Sequence, residues 1–346
     1  MTEEIFIGPE AMGQLKELLQ NRAFKKTVVL VDENTHRHCY PLLKSFLPEN
    51  HHVVQIHSGE EHKNLATCEH VWRELTDQNL DRWSLLVNLG GGVLTDLGGF
   101  CASLYKRGIR FVNVPTTLLS QVDASVGGKT GIDFMGFKNH IGVFQEPLAV
   151  LVNPVFLQTL DMRQMKSGYA EIIKHWLIMD ADKFYEQRYI GLFTEDWTDL
   201  IKHSIDIKSR VVTADPLENG LRKILNFGHT IGHAVESFYL EKPGQTLLHG
   251  EAIAVGMLCE AWLSTQKGLL PKEELEQMET FIMSIYEKVS IPQADVQAIS
   301  HLCLHDKKND GATINCTLLQ KIGEAVYDKP ITLPEVQSAL RYYQLL

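Results

Sequence analysis

The first half of the chain alternates short apolar runs with helical stretches, and this pattern constrains the fold more than any other feature. The runs predicted as strands cover 26–34, 51–59, 84–92 and 111–117, and the stretches predicted as helices cover 67–79 and 96–108. Strands that alternate with helices form βαβ units. The pattern therefore predicts a Rossmann-like α/β domain built on a parallel sheet.

The second half of the chain has a different pattern. Long amphipathic or apolar stretches, typical of helices, cover 167–179, 199–212 and 250–266. The change falls near residue 158. We therefore expect an α/β domain over 1–158 and a mostly α-helical domain over 159–346.

Composition excludes several classes of protein. Of the 346 residues, 44% are hydrophobic, and the formal net charge is -10. An acidic surface does not favour nucleic acid or membranes as partners. The six cysteines are scattered without a CxxC pair, and the N-terminus lacks the basic and apolar regions of a signal peptide. We therefore expect a cytoplasmic protein with reduced thiols.

A glycine-rich turn follows the third predicted strand. Gly90, Gly91 and Gly92 lie between this apolar strand and a helix, where backbone N–H groups can bind a pyrophosphate. The spacing differs from GxGxxG, so a simple tight turn remains an alternative. Asp32, at the end of the first predicted strand, is either a ligand for a ribose hydroxyl or an ordinary helix cap.

If one helix covers 222–236, it carries a polar stripe. At about 100° per residue, five side chains fall within an arc of about 80°; they are Arg222, Asn226, His229, His233 and Glu236. Spacing alone pairs His229 with His233 as i,i+4 metal ligands. Further donors are available at Glu171, His249 and Glu251, and three N/O ligands are typical of catalytic zinc.

Several cations lie in glycine-rich or polar segments instead of on solvated helix faces. They are Arg107, Lys129, Lys138, Lys174, Lys208, Arg222 and the lysines of the sequence DKK at 306–308. Any one of these cations alone could be an ordinary surface residue that favours solubility. Together they indicate a substrate with phosphate or carboxylate groups.

Long motifs in a fixed order now make the chain resemble a known family. They are GGGVLTDLGGF, RGIRFVNVPTTLLSQVDASVGGKTGID, GFKNHIG, SGYAEIIK, VVTADPLENGLRKILNFGHTIGHAVE, LLHGEA and DKK. Over roughly 26–325 the chain resembles the 3-dehydroquinate synthases, which are sugar phosphate cyclases. The resemblance implies an NAD-binding α/β domain, a helical metal domain and conversion of 3-deoxy-arabino-heptulosonate 7-phosphate to 3-dehydroquinate in the shikimate pathway.

The resemblance assigns roles to individual residues. It implies that Glu171, His229 and His249 bind Zn²⁺ or Co²⁺, and that His233 serves the substrate, against the spacing argument. The residues that it implies for NAD are Asp32, Glu60, Lys63, Gly91, Gly92, Asp96, Thr116, Thr117, Lys129, Lys138, Phe156, Leu157, Gln158 and Thr159. Those that it implies for the substrate are Arg107, Asp123, Lys129, Asn139, Lys174, Lys208, Arg222, Asn226, His233 and a lysine of DKK, assigned to Lys307.

The same resemblance implies a reaction in which NAD is used and regenerated. An alcohol is oxidised, phosphate is eliminated, the ketone is reduced again, and an intramolecular aldol reaction closes the ring. Metal would polarise the alcohol, the cations would hold the phosphate and carboxylate, and His233 could shuttle a proton. Relatives are commonly homodimers. Thr95 and Asn153 depart from residues common in the family, which affects only details of NAD binding.

Three rival functions remain at this point. Another sugar phosphate cyclase, of the deoxy-scyllo-inosose or valiolone type, would share most motifs, although Lys208 and Asn226 favour the shikimate substrate. An iron-dependent alcohol or glycerol dehydrogenase would release NADH, and the phosphate-binding cations argue against it. A non-enzymatic protein that kept the fold would bind metal without turnover.

Overall fold

The computed structural model describes residues 4–22, 24–192, 197–240, 242, 244–305 and 313–346. Its strands are β1 (Glu4–Ile7), β2 (Thr27–Asp32), β3 (His52–Ile56), β4 (Leu85–Gly90), β5 (Arg110–Pro115), β6 (Lys129–Phe134), β7 (Phe137–Phe144), β8 (Ala149–Val152), β9 (Ile314–Lys321) and β10 (Glu324–Ile331). Its α-helices are α1 (Ala11–Asn21), α2 (Glu33–His38), α3 (Tyr40–Leu43), α4 (Leu65–Asp77), α5 (Gly92–Leu104), α6 (Met162–Met179), α7 (Ala181–Gln187), α8 (Trp197–Ala214), α9 (His229–Leu240), α10 (His249–Gln266), α11 (Lys272–Ile285), α12 (Val296–Leu302) and α13 (Leu333–Leu345).

Contacts divide the chain into two compact units. The first consists of Met1–Met165 and Asp196–Ile205, and the second of Lys166–Glu195 and Asp206–Leu346. None of the helices in the described ranges has the length and apolar character needed to cross a membrane. All six cysteines are buried, as expected for core thiols.

The first unit is built on a six-stranded sheet with the order β1-β8-β5-β4-β2-β3. Every pairing within this sheet is parallel. Alternate residues of β2 enter different cores: Val28 and Leu30 pack with α4 and α5, whereas Val29 and Val31 pack with α1. Successive side chains of a strand point to opposite faces, so both faces of the sheet are covered. The predicted α/β fold class is confirmed.

Two antiparallel hairpins accompany these elements. β6 pairs with β7 in the first unit, and β9 pairs with β10 in the second. The remainder of the second unit is mostly helical, as predicted. The hairpin β6–β7 carries Lys129, Lys138 and Asn139, which the resemblance implies for the cofactor and the substrate.

Helices α9 and α10 pack with their backbones in close contact. A Cβ atom added to Gly256 would lie 1.9 Å from the carbonyl oxygen of Gly228, and one added to Gly232 would lie 2.9 Å from Cδ1 of Ile253. Side chains larger than hydrogen do not fit at such a crossing. In the same pair of helices the ring centroids of His229 and His249, the first residue of each, lie 5.4 Å apart.

Candidate metal centre and cofactor-binding residues

Three helices of the second unit each contribute one donor to a compact cluster. Glu171 lies within α6, His229 is the first residue of α9, and His249 is the first residue of α10. Their donor atoms all lie within 4.8 Å of one another. The Nε2 atoms of His229 and His249 lie 3.4 and 3.3 Å from the same oxygen, Oε1 of Glu171.

These distances fit a metal ion. Nitrogen and oxygen ligands held about 2.0–2.1 Å from tetrahedral zinc lie about 3.3 Å from one another. One carboxylate and two imidazoles are also a donor set that zinc enzymes use while keeping a position open for a substrate. Glu171, His229 and His249 therefore have the chemistry and the spacing of a catalytic zinc site.

Hydrogen bonds orient both imidazole rings. Nδ1 of His229 lies 3.0 Å from the backbone oxygen of Phe227, and Nδ1 of His249 lies 3.4 Å from Oε2 of Glu236. When Nδ1 of a neutral imidazole donates a proton to such an oxygen, the lone pair remains on Nε2. Both Nε2 lone pairs are then available on the side that faces Glu171.

Glu171 is fully buried and forms an ion pair with Lys174, which is also buried. Burial alone would raise the pKa of Glu171, but Lys174, His229 and His249 outweigh it and hold that pKa well below its usual value. Burial would lower the pKa of His249, whereas Glu236 and Glu171 raise it to about 9. The cluster thus favours a cation beside an ionised Glu171.

His233 lies beside this cluster but joins a different set of donors. Its ring centroid lies 5.0 Å from that of His229, in an edge-on arrangement. His233, Glu236 and His249 form a second, overlapping group that could hold a metal ion. In the described part of the chain, the donors gathered with His229 come from Glu171 and His249, so the i,i+4 pair suggested by spacing is not the set that the fold assembles.

The condition for the polar stripe, one continuous helix over 222–236, is not met. A 3₁₀ helix covers Leu221–Asn226, and α9 begins only at His229. Between them Gly228 has a φ angle of +78°, which favours glycine and interrupts the helix. The polar side chains still gather in one region, but a turn and two short segments bring them there.

The loop of residues 215–220, before this turn, holds the predicted substrate residues Arg222 and Asn226. The carboxylate of Asp215 accepts hydrogen bonds from the backbone N–H groups of Asn219, Gly220 and Arg222, at 3.0, 2.7 and 3.1 Å. Nη1 of Arg222 donates to the oxygen of Pro216 at 2.7 Å. Lys208 and Arg222 are both buried, so these cations are not ordinary surface residues.

Asn226 is held by a side chain of the same loop. Its amide nitrogen donates to Oε1 of Glu218 at 2.8 Å. Glu218 has a φ angle of +61°, an uncommon backbone conformation for a residue with a side chain. The loop therefore fixes the amide of Asn226 as well as the guanidinium of Arg222.

The glycine turn of the first unit joins β4 to α5. Gly91 precedes the helix without a side-chain cap, so the first N–H groups of α5 have no side-chain acceptor from that position. A Cβ atom on Gly91 would lie 3.0 Å from Cγ2 of Thr117, and the N–H of Thr116 donates to the oxygen of Gly90 at 3.0 Å. Gly91, Thr116 and Thr117, predicted separately for NAD, are thus neighbours.

A buried network connects further residues predicted for the cofactor. Nζ of Lys63 donates to Oδ2 of Asp96 and to Oδ1 of Asn139, each at 2.6 Å. Nζ of Lys138 lies 3.3 Å from Oε1 of Glu60. Asn139, assigned to the substrate from sequence, here contacts a residue assigned to NAD.

Asp133, which the sequence analysis missed, organises this network. Its N–H donates to the oxygen of Lys63 at 2.8 Å, and its Oδ1 accepts the N–H of Asn139 at 2.7 Å. Burial and the nearby Glu60 raise the pKa of Asp133 to about 6, against the opposing effect of Lys63. The only sequence signal for Asp133 is its place between Lys129 and Lys138.

The other residues predicted for the cofactor lie in varied surroundings. Asp32 caps α2, since its Oδ1 accepts the N–H of Thr35 at 2.7 Å. In the 3₁₀ helix Pro154–Thr159, Phe156 and Leu157 are buried. Gln158 and Thr159 are exposed.

The remaining predicted substrate residues lie on other elements of the chain. Asp123 and Lys129 are half-buried in the π-helical turn Ser120–Ala124 and at the start of β6. Arg107 is exposed beyond the C-terminal end of α5, about 20 Å along that helix from the glycine turn. Lys307 lies outside the described residues.

Fold and site together define a class of protein: an α/β unit with a glycine turn at a helix N-terminus, and a helical unit with a candidate metal centre. Two family models match the chain, 3-dehydroquinate synthase N-terminal over residues 53–167 and 3-dehydroquinate synthase C-terminal over residues 168–309. A 3-dehydroquinate synthase of Parabacteroides distasonis is 38% identical over 346 residues, covering 99% of this chain and 98% of its own. The chain belongs to the 3-dehydroquinate synthase family.

Solved structures of other cyclases share the fold. The 2-epi-5-epi-valiolone synthase ValA of Streptomyces hygroscopicus, solved with NAD+ and Zn²⁺, has a TM-score of 0.85 at 26% identity, covering 99% of this chain and 97% of its own. A 2-deoxy-scyllo-inosose synthase complexed with carbaglucose-6-phosphate, NAD+ and Co²⁺ has a TM-score of 0.86 at 24% identity, covering 98% and 96%. The second comparison supports the fold alone.

Proposed function

We propose that the chain is a 3-dehydroquinate synthase, which converts 3-deoxy-D-arabino-heptulosonate 7-phosphate to 3-dehydroquinate and phosphate. It is an enzyme of the carbon–oxygen lyase type, in the shikimate pathway. The observation that carries the proposal is the buried carboxylate of Glu171 with two imidazole Nε2 atoms 3.3 and 3.4 Å away, in a chain of this family.

For the metal we propose Zn²⁺ or Co²⁺ bound by Glu171, His229 and His249. The donor chemistry and the distances between the donor atoms support this choice, as does the zinc in the related valiolone synthase.

We propose that the domain of residues 1–158 binds NAD, with the glycine turn and the Lys63 network as its binding surface. The domain of residues 159–346 would hold metal and substrate. When bound, NAD supplies a reversible hydride acceptor and the metal a Lewis acid for the alcohol that is oxidised.

The residues of the chain then bind and orient an anionic sugar phosphate. Lys208 and Arg222 are buried cations, and a buried cation gains more from a phosphate or carboxylate than an exposed one. Lys174 already neutralises Oε2 of Glu171, which leaves Oε1 to the metal side. Asn226, held by Glu218, offers a fixed amide for substrate hydroxyls.

His233 is proposed to move the proton of the substrate alcohol. It lies beside His229 and His249 and is only half-buried, so its ring can reach both substrate and solvent. An imidazole suits this role near neutral pH.

The proposed substrate contacts also include Asp123, Lys129, Asn139, Arg107 and Lys307. A cytoplasmic homodimer is also proposed, by resemblance to the family, and sedimentation and cell fractionation test it.

The experiment that tests the function measures released phosphate and NADH together. The purified chain with zinc and catalytic NAD is given 3-deoxy-D-arabino-heptulosonate 7-phosphate, glucose 6-phosphate or sedoheptulose 7-phosphate. The proposal expects stoichiometric phosphate from the first substrate alone, without lasting NADH and with loss of activity after chelation. Accumulating NADH would indicate a dehydrogenase, and turnover of another sugar phosphate would indicate a different cyclase.

A further inference from the structure

Two buried carboxylates lie beside the candidate metal centre without belonging to it. Glu236 is on α9 and Glu260 is on α10, and both are less than 5% exposed. A buried carboxylate is costly unless hydrogen-bond donors or charges compensate it. What each of them contacts is therefore informative.

Glu260 binds the beginning of the helix that carries His229. Its Oε2 accepts the N–H of Gly228 at 2.6 Å, and its Oε1 accepts the N–H of Ile231 at 3.0 Å. The first N–H groups of a helix lack partners within the helix, and a negative charge is favourable there. These two bonds hold the residues on either side of His229.

The same turn also fixes the ring of His229. Phe227, whose oxygen lies 3.0 Å from Nδ1 of His229, is joined by one peptide to Gly228, whose N–H is bound by Glu260. Rotation of that peptide would move both groups together. Glu260 therefore controls the position of the His229 backbone and the acceptor for its ring.

Glu236 contacts the helix that carries Glu260, so the two carboxylates act on each other's helices. It belongs to α9, the helix of His229, but its Oε2 lies 3.4 Å from Nδ1 of His249 at the start of α10. A carboxylate at Nδ1 fixes the imidazole tautomer and makes Nε2 a better donor. Nε2 of His249 is the atom that faces Glu171.

We propose that Glu236 and Glu260 are a reciprocal pair of positioning residues for the metal centre: each of the two helices carries one histidine ligand and one carboxylate that orients the ligand of the other helix. Neither carboxylate is among the three proposed ligands. Together they set how tightly and in what geometry the metal is held. This inference rests on the proposed metal site.

The test measures zinc affinity of the full-length protein by competition with a chromophoric chelator. The variants are Glu236→Leu, Glu236→Gln and Glu260→Gln. Glu274→Gln is the matched control, since Glu274 also accepts a backbone N–H, that of Ile322, but from the helix α11. Visible spectra of the cobalt-substituted proteins report ligand geometry, and thermal unfolding of the metal-free proteins reports stability.

We expect Glu236→Leu and Glu260→Gln each to weaken zinc binding about 10–100-fold and to change the cobalt spectrum. Glu236→Gln retains an acceptor oxygen and should lose less affinity than Glu236→Leu. The control should bind zinc as the unmodified protein does. If Glu260→Gln does not fold, the two Glu236 variants still test the pair, because unchanged zinc affinity and cobalt spectra in both would overturn it.

The possible outcomes separate this inference from the proposed function. If the unmodified protein binds no stoichiometric zinc, the metal centre fails and the positioning role fails with it. If the unmodified protein binds zinc and the Glu236 and Glu260 variants match it in affinity and spectrum, only the positioning role is overturned. Equal losses in the control would also overturn it, because the effect would then follow general stability.

Discussion

Each unit of the chain buries a lysine against a carboxylate, but the charges around the two pairs are opposite. Lys63 and Asp96 lie near Asp133 and Glu60, so acidic groups are in excess. Lys174 and Glu171 lie near His229 and His249. Burial, followed by the nearby Glu60, raises the pKa of Asp133 to about 6. Lys174 and the two imidazoles instead hold the pKa of Glu171 well below its usual value, against the effect of burial.

The hydrogen bonds of Lys63 connect protein groups to one another, whereas the Glu171 cluster offers lone pairs to an ion. In the Lys63 network, hydrogen bonds join side chain to side chain and side chain to backbone. In the Glu171 cluster, two Nε2 atoms and one oxygen converge on a common point. We therefore expect substitutions in the first to change stability and NAD affinity, and those in the second to abolish metal binding.

The largest effect is expected from Glu171→Ala. Loss of this ligand should remove stoichiometric zinc and lower kcat/KM for phosphate release about 10³-fold, since a Lewis acid contributes several kcal/mol. Glu251→Gln is the control: Glu251 was an alternative ligand from sequence, but its carboxylate accepts the N–H of Leu248. Metal analysis should find zinc in the control and not in Glu171→Ala; the opposite result would reassign the ligand.

The next effect is expected from Lys63→Met, which leaves the surrounding carboxylates without their buried cation. Removal of one partner of a buried ion pair should lower the free energy of unfolding by about 3–5 kcal/mol. Lys138→Met, at a longer and more exposed pair, should cost much less. Urea titration measures both. Loss of zinc from Lys63→Met would break the distinction between the two regions.

A smaller effect concerns the pH dependence of stability. Because the pKa of Asp133 is raised from 3.8 to about 6, the folded chain binds its proton more tightly than the unfolded chain. The stabilisation is present below pH 4 and is lost as the pH rises to 6. Asp133→Asn keeps an acceptor for the N–H of Asn139 but removes the titration. Relative to the unmodified protein, this variant should therefore gain stability between pH 4 and 6 and then level off. A difference that does not change with pH would contradict the assignment.

The smallest effect is expected from Asp215→Ala. Three backbone N–H groups lose their acceptor, and the loop that holds Arg222 loosens. We expect a roughly 10-fold higher KM for the sugar phosphate, about the value of one charge-assisted hydrogen bond. Asp215→Asn keeps one acceptor oxygen, so its KM should lie between that of the unmodified protein and that of Asp215→Ala. Steady-state kinetics measures this, and an unchanged KM would exclude a role in substrate binding.

Most of the fold could be predicted from sequence because the pattern is local. The run TVVLVD sends alternate residues to two cores, and glycines after LLVNL begin a helix. Strands β1 and β8 have only four residues each and gave no comparable signal. They pair with each other although they lie far apart in the sequence.

The site was predicted less completely because its supporting contacts join distant residues. Glu260 binds Gly228 across 32 positions, and Glu236 approaches His249 across 13. No periodicity indicates such partners. The break between 222 and 236 could not be read from sequence for the same reason: the carboxylate that stabilises the turn at Gly228 comes from another helix.

The most direct test of the central claim is a crystal of the zinc-loaded protein measured at the zinc absorption edge. We expect one strong anomalous peak bonded to Oε1 of Glu171 and to Nε2 of His229 and His249. A peak bonded to His233, Glu236 and His249, the overlapping donor group, would contradict the proposed centre.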